Sequence, residues 1–326
     1  MIKRLLFIFS LIPFLGVAQF APAAGQPGSS AIKNDSTIII NWASGCKIIR
    51  GRQDISNVSG GYASVGDSSK AIGFADGLGV VSLGDGGSAV LTFPQAIKNL
   101  AGPDFCVFEN SFDPGFLELA FVEVSSDGIN FTRFPATCNV QNTVQIGPFD
   151  TSSDATKINN LAGKYIGGYG VPFDLLELTG IPGLNINAVT HVKIIDVVGC
   201  IQPQYARYDK NNNIINDPWA TPYSSGGFDL DGVGVLNQAP AGIQENDDLN
   251  KSVRLFPTVT NDEIYFVNES GQPLELEVTD ISSKMIKTMF IKKSGSISLA
   301  SVVEGIYFIK IKGEHSSLVK KIIKTN

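Results

Sequence analysis

The segment of residues 102–134, GPDFCVFENSFDPGFLELAFVEVSSDGINFTRF, constrains the fold more than any other stretch of the chain. It consists of an apolar run of strand length, an acidic loop, a longer apolar run, an Asp127-Gly128 turn and a third apolar run. Short apolar runs bounded by turn residues indicate strands, and Asp-Gly between them indicates a hairpin. The segment therefore predicts three consecutive strands at the core of an all-β unit.

The long strand of this segment changes parity. Leu117, Leu119 and Phe121 share one face of an extended chain, whereas Val122 and Val124 lie on the other. Because successive side chains alternate between faces, either both faces are covered, as in the middle of a sandwich, or a β-bulge near Phe121 redirects the chain.

Most of the chain repeats this pattern. Between residues 39 and 236, short apolar runs alternate with clusters of Gly, Asp, Asn and Pro, without a helical period. The 34 glycines and 20 phenylalanines also favour a turn-rich β protein. Strands are predicted at residues 89–93, 105–108, 116–125 and 189–198.

Residues 1–18 are typical of a secretory signal peptide. Lys3 and Arg4 precede an apolar run at residues 5–17, which ends in small residues. Residues 19–38 are rich in Pro, Gly, Ser and Ala and are predicted to form a flexible lead-in. No other segment reaches the ~18 apolar residues of a membrane span, so none is expected in the mature chain.

Export determines how the four cysteines are interpreted. Cys46, Cys106, Cys138 and Cys200 form no C-x-x-C pair, which argues against a zinc site. In an oxidising compartment they predict up to two disulfides, with three possible connectivities. The alternative for Cys106, within a predicted strand, is a free buried thiol.

Residues 238–252 are polar and are predicted to be a linker. Beyond it, residues 253–326 form a second all-β pattern, with strands predicted at 264–268, 274–281, 285–291, 306–311 and 318–323. The order of its motifs resembles the type A C-terminal sorting domain of the type IX secretion system of Bacteroidetes. The matching segments are VRLFP at 253–257, LEVTD at 276–280, GIYFIKI at 305–311 and KKIIK at 320–324.

That resemblance implies a small immunoglobulin-like β-sandwich, contact with the type IX machinery, and transfer across the outer membrane to the cell surface or the medium. Within the predicted binding domain of residues 39–237, residues 62–237 resemble a family of secreted bacterial proteins of unassigned activity. The segments that carry this likeness are VSLGDGGS at 81–88, VFEN at 107–110, VEVSSDG at 122–128 and GGFDLD at 226–231. The hairpin at 122–131 is also similar to that of discoidin-like, galactose-binding-like jelly rolls, which implies a jelly-roll sandwich.

A loop near residue 210 suggests calcium. Oxygen-bearing side chains recur at alternate positions, with a backbone carbonyl available at Ile215, which suits a hard cation. Ile214 replaces the glycine of an EF-hand loop and Ala220 its last glutamate, so a full EF-hand is excluded. An Asn-rich polar turn is the alternative. The candidate ligands are Asp209, Asn211, Asn213, Ile215 and Asp217.

A second acidic set lies at strand ends. The first and last strands of a jelly roll meet, so these acids are expected to converge, either on a structural Ca²⁺ or as braces held by hydrogen bonds. The set comprises Asp104, Glu109, Asp196, Asp229 and Asp231.

Catalysis has little support in the sequence. The two histidines, His191 and His315, have no evident nucleophile partner, and no G-x-S-x-G motif occurs. Hydrolysis of glycosides by paired carboxylates requires two acids that face one cleft. Acids that could serve occur in the sequence, but any β protein contains as many; they include Asp113, Glu118, Glu123 and Asp174. Loop aromatics instead suggest stacking on sugar rings, with Trp219, Tyr223 and Tyr169 as candidates.

The net charge of −6 argues against nucleic acid as a partner. The sequence thus predicts an exported protein of two all-β domains, a jelly roll and a sorting domain. Its predicted function is non-catalytic binding of a glycan or another extracellular ligand. The alternatives are a carbohydrate-active hydrolase and a structural or adhesion protein of the cell surface.

Overall fold

A computed structural model describes residues 20–239, 252–313 and 317–326 of the chain. The predicted signal peptide, most of the predicted linker and His315 lie outside the described residues. The chain divides into two compact units, residues 1–240 and 241–326. Within the described ranges the fold is all-β, as predicted, and none of its helices has the length and apolarity of a membrane span.

The first unit contains fourteen strands in its described part, joined by turns and by four short 3-10 helices at Val58–Gly60, Ser68–Ala71, Ala155–Lys157 and Leu175–Leu178. Its strands are β1 (Ile32–Lys33), β2 (Asn41–Trp42), β3 (Gly45–Ile49), β4 (Val81–Ser82), β5 (Ser88–Ile97), β6 (Phe105–Glu109), β7 (Ala120–Ser125), β8 (Thr132–Arg133), β9 (Thr137–Cys138), β10 (Ile158–Asn159), β11 (Leu161–Ala162), β12 (Tyr169–Phe173), β13 (Val189–Asp196) and β14 (Asp229–Val235).

Two large antiparallel sheets build this unit, and β9 and β10 form a separate two-stranded sheet. The first has the order β1-β12-β6-β14-β2, with β4 also paired to β14, and the second has the order β11-β7-β13-β5-β3, with β8 paired to β7. Both sheets contribute to one apolar core, in which Phe105 and Val233 come from the first sheet and Leu91 and Ile194 from the second. The unit is therefore a two-sheet β-sandwich.

Strand β7 is covered on both faces. Val122 and Val124 point into the central core, whereas Phe121 joins a second apolar cluster with Leu119 and Ile215. The ladder between β7 and β13 runs without a register shift. The parity change therefore reflects two covered faces and not a bulge.

Residues 20–38 differ from the flexible lead-in that their composition predicts. β1 pairs with β12, Ile32 is buried, and the Phe20 N–H donates to the Thr156 carbonyl at 2.9 Å. Pairing at an open sheet edge uses backbone groups alone, so a sequence with weak strand composition can be held there.

The four cysteines, all within the described ranges, are free thiols, so the predicted disulfides are not formed. Cys46 on β3 and Cys106 on β6 belong to different sheets. The Cys106 thiol donates to the Gly234 carbonyl at 3.7 Å, as expected for the free buried alternative. An even cysteine count in an exported chain does not by itself place the sulfur atoms together.

The second unit is a smaller β-sandwich. Its strands are β15 (Val253–Phe256), β16 (Val259–Thr260), β17 (Glu263–Asn268), β18 (Leu274–Asp280), β19 (Met285–Ile291), β20 (Ser294–Ser298), β21 (Gly305–Lys312) and β22 (Ser317–Lys324). The three-stranded sheet has the order β15-β17-β20, and the five-stranded sheet has the order β16-β22-β21-β18-β19. Ile264, Val278, Ile297 and Ile309 from the two sheets share one core.

Candidate functional site

A cavity of about 200 Å³ opens in the first unit where β6 ends. β6 ends at Glu109, and its partner β14 begins at Asp229, with Leu230 opposite Glu109 in the ladder. The segment before β7 adds Glu118 to the same cavity. The lining residues are Glu109, Asn110, Phe112, Phe116, Glu118, Pro148, Phe149, Thr221, Tyr223, Ser225 and Asp229.

Glu109 forms part of the cavity wall and is 2% exposed. Its carboxylate accepts a hydrogen bond from the Ser111 N–H at 2.8 Å. Burial raises the pKa of Glu109 well above its usual range, and the charge of Asp229 raises it further. Desolvation and a like charge both favour the protonated carboxyl.

Glu118 lies at the cavity without a partner. Its side chain is 7% exposed, and its carboxylate makes no hydrogen bond or ion pair within the described residues. Burial raises the pKa of Glu118 well above its usual range, and the charges of Glu109 and Asp229 act in the same direction. An unpaired buried carboxylate is costly, so this group requires compensation by a proton or a ligand.

Asp229 is the third carboxyl of the cavity. Burial raises its pKa to about 6, against the opposing effects of a hydrogen bond from the Ser82 hydroxyl and the charge of Arg50. The Arg50 guanidinium donates to the backbone carbonyls of Ser82, Val65 and Gly66. Its hydrogen bonds therefore go to the backbone, and Arg50 offsets the charge of Asp229 only through space.

Aromatic rings border the cavity in two pairs. Phe112 and Phe116 stack with their centroids 4.5 Å apart, and Phe149 and Tyr223 lie tilted at 5.8 Å. Phe112 is 64% exposed, Phe149 62% and Tyr223 46%. Large aromatic faces left open beside buried polar groups are characteristic of small-molecule sites.

Sequence reasoning selected Glu109, Asp229 and Tyr223 for the site but gave no such role to Phe112 and Phe149. Phe112 follows the VFEN motif, and Phe149 lies in a loop 37 residues after Phe112, so nothing in the local pattern connects them. Glu118 carried a usable signal. It has the same parity as Val122 and Val124, and a glutamate on the core-facing side of the predicted strand 116–125 is unusual, although β7 itself begins only at Ala120.

Asp104 does not join the cavity. It precedes β6, whereas Glu109 ends this strand, so the two lie roughly 17 Å apart. The Asp104 carboxylate accepts hydrogen bonds from the Leu100 N–H, the Leu175 N–H and the Asn237 amide, all at 2.9 Å. It acts as a brace between the ends of three segments.

Asp196 and Asp231 are also held by backbone donors. Asp196 accepts the N–H groups of Gly86, Val198 and Phe228 at 2.8–2.9 Å. Asp231 accepts the Gly77 N–H at 3.1 Å, and burial raises its pKa to about 6. Neither lines the cavity.

In the loop proposed for calcium, the aspartate carboxylates accept hydrogen bonds from backbone N–H groups. The Asp209 carboxylate accepts the N–H groups of Cys138, Asn211 and Asn213, and Asp217 accepts the Leu119 N–H at 2.7 Å. The Ile215 side chain lies in the second apolar cluster. Across the described ranges no three His, Cys, Asp or Glu side chains are grouped so as to hold a metal ion. Calcium binding at this loop stays a prediction.

The three predicted ligand-binding aromatics are separated. Tyr223 lines the cavity, whereas the Trp219 indole donates to the Asp85 carboxylate at 3.0 Å and neither Trp219 nor Tyr169 is among the cavity residues. Tyr169 lies on β12 beside β1 and packs against the main core. Only Tyr223, among these three, lies at the site.

The remaining candidates for acid or base chemistry lie elsewhere. Glu123 pairs with Arg133 at 2.8 Å, and the Asp113 and Asp174 carboxylates accept backbone N–H groups of nearby turns. The His191 Nδ1 is 2.8 Å from the Thr190 hydroxyl. None of these groups lines the cavity.

Comparison with known proteins identifies the second unit. Residues 254–325 match the family model described as "Secretion system C-terminal sorting domain". No curated protein matches the chain.

Among solved structures, the chain is similar to a "Biofilm associated protein - BSP domain" at 12% identity, covering 90% of this chain and 53% of that one, with a TM-score of 0.21. It is also similar to the β-glucuronidase of Ruminococcus gnavus at 12% identity, covering 86% and 44%, with a TM-score of 0.21. The chain thus spans about half the length of these proteins.

The family match and the fold agree for residues 254–325, which form a β-sandwich-type unit. A sorting domain of this kind is recognised by the type IX secretion machinery. The chain is therefore an exported protein that crosses the outer membrane to the cell surface or the extracellular space.

Proposed function

We propose that the protein is a non-catalytic binding protein whose first unit captures a small glycan ligand outside the cell. The observation that supports this proposal is the cavity at the end of β6, where two buried carboxyls and the half-buried Asp229 lie beside open aromatic rings. The sorting domain delivers this site to the extracellular side, where it meets polysaccharides and their fragments.

The chemistry of the cavity suits a sugar ring. Carboxyl oxygens accept hydrogen bonds from hydroxyl groups, and aromatic faces cover the apolar C–H surface of the ring. The volume of about 200 Å³ is below that of a drug-sized pocket, which indicates one ring or a chain end and not a long segment.

A glycan array probed with the full chain tests this proposal. Binding is expected to fall by about tenfold or more in Tyr223→Ala, because loss of a stacking aromatic at a site centre costs ~1.4 kcal/mol or more. Tyr208→Ala is the matched control, since both tyrosines are 46% exposed and Tyr208 lies outside the cavity. An array without any binding would reject the proposal and favour a structural role at the surface.

A hydrolase is the second candidate, because Glu109 and Glu118 border one cavity and burial raises the pKa of both. A protonated carboxyl beside an ionised one is the arrangement that glycoside hydrolysis uses. The test is whether the protein releases reducing ends from the glycans that it binds on the array. Release by the wild type that is lost in both Glu109→Gln and Glu118→Gln would establish hydrolysis in place of simple binding.

A further inference from the structure

We infer that the ligand held in this cavity carries a protonated amine, so that the glycan recognised is an amino sugar with a free amino group. This inference rests on the proposed function and specifies the chemistry of its ligand. It starts from Glu118, a carboxyl that is more than nine-tenths buried, faces the cavity and has no partner within the described residues.

The cavity carries acidic groups without a cation among its lining residues. Glu109, Glu118 and Asp229 place three carboxyls around one small volume, and the eleven lining residues include no Lys, Arg or His. Arg50 acts on Asp229 from outside this set and donates its hydrogen bonds to backbone carbonyls. Like charges in a poorly solvated site repel strongly, and a cation removes this cost.

The shape of the cavity favours an organic cation over a metal ion. The described acids include no group of three arranged around a point where a metal ion would bind. A cavity of about 200 Å³ is far larger than one ion or one water requires. These features favour a cation that is part of a larger organic molecule.

An organic ammonium group also matches the donors and surfaces that the cavity needs. It has three N–H donors and no acceptor, so it can donate to the unpartnered Glu118 carboxylate and to neighbouring oxygens of the wall. The exposed faces of Phe112, Phe149 and Tyr223 attract a cation through their π-electrons and also cover the body of a sugar ring. A neutral sugar would leave these carboxyls to be neutralised by protons alone.

The test compares two tetrasaccharides of equal length by calorimetry with the full chain near pH 6.5. One is the β-1,4 tetramer of glucosamine, with free amines, and the other is the tetramer of N-acetylglucosamine, in which each amine is an uncharged amide. The free-amine tetramer is expected to bind at least about tenfold more tightly, a difference of ~1.4 kcal/mol. Glu118→Gln is expected to remove most of that preference.

Glu123→Gln serves as the control, because Glu123 lies on neighbouring β7 and outside the cavity. Its preference for the free-amine tetramer should equal that of the wild type.

Equal binding of both tetramers, unchanged in Glu118→Gln, would overturn the amine inference and leave the proposed glycan binding intact. Stoichiometric Ca²⁺ binding that Glu118→Gln abolishes would overturn it in favour of a metal site. Absence of binding to either tetramer and to the whole array would reject both proposals.

Discussion

Buried carboxyls give this protein its most distinctive chemistry at the scale of single residues. Asp104 and Asp196 are surrounded by backbone N–H donors, whereas Glu118 receives none from the described residues. A buried carboxylate thus acts as a brace where the fold supplies N–H donors, whereas Glu118 at the cavity has no such donor among the described residues. The sequence predicted buried acids but not this division, because it depends on which N–H groups the fold brings to each carboxylate.

Three aspartates with raised pKa values, Asp85, Asp229 and Asp231, predict how the stability of the fold depends on pH. Burial raises the pKa of Asp85 to about 7, and burial also raises the pKa values of Asp229 and Asp231 to about 6. Between about pH 4 and pH 6–7 the folded chain therefore holds more protons than the unfolded chain. The free energy of unfolding should fall as pH rises through this window, and denaturant titrations at pH 5.0 and 7.5 measure it.

The same reasoning predicts that Glu118→Gln stabilises the protein. The amide removes a buried charge and its repulsion with Glu109 and Asp229, so the melting temperature at pH 7.5 should rise by roughly 2–4 °C for each ~1 kcal/mol gained. Glu123→Gln should instead lower it, because Glu123 pairs with Arg133. A fall in Glu118→Gln would show that the carboxylate has a stabilising partner.

At the scale of elements, strands with strong apolar patterns were predicted well. Strand β19 (Met285–Ile291) has the predicted bounds, and β6 and β18 differ from prediction by one residue. β20, with the sequence SGSIS, was missed because a polar, glycine-containing strand is held by backbone pairing with β17. The meeting of β6 with β14 was expected from the jelly-roll resemblance, whereas their register, with Leu230 opposite Glu109, lay beyond prediction.

Asp104 connects several of these elements, and its loss should weaken the whole first unit. Asp104→Ala leaves the N–H groups of Leu100 and Leu175 without their acceptor, at a cost of roughly 2–4 kcal/mol in the free energy of unfolding. Asp67→Ala is the control, because exposed Asp67 caps a short helix and should cost about 1 kcal/mol or less. Equal effects of the two substitutions on chemical denaturation would contradict the bracing role.

At the scale of the whole molecule, the chain combines a sandwich with a cavity and a sandwich that directs export. The sorting unit was recognisable because its motifs lie in one continuous segment, and residues 254–325 match the family. The cavity was not recognisable as a whole, because Glu109, Phe149 and Asp229 meet only after the two sheets have formed.

The free thiols give a prediction for the intact protein. Because the structure contains four thiols and no cross-link, a reducing agent should leave the melting temperature unchanged. Calorimetric scans with and without dithiothreitol measure this, and a thiol titration of the unfolded chain should count four groups. A clear loss of stability on reduction, with fewer than four thiols, would show that a disulfide forms in the mature protein.

The most direct test of the account is the affinity of an array-selected glycan for the wild type, Tyr223→Ala and Tyr208→Ala, measured by calorimetry. If the cavity is the binding site, Tyr223→Ala loses about tenfold or more in affinity and Tyr208→Ala binds as the wild type does. Equal affinities in all three proteins, with all three folded, would place the ligand elsewhere and contradict the account.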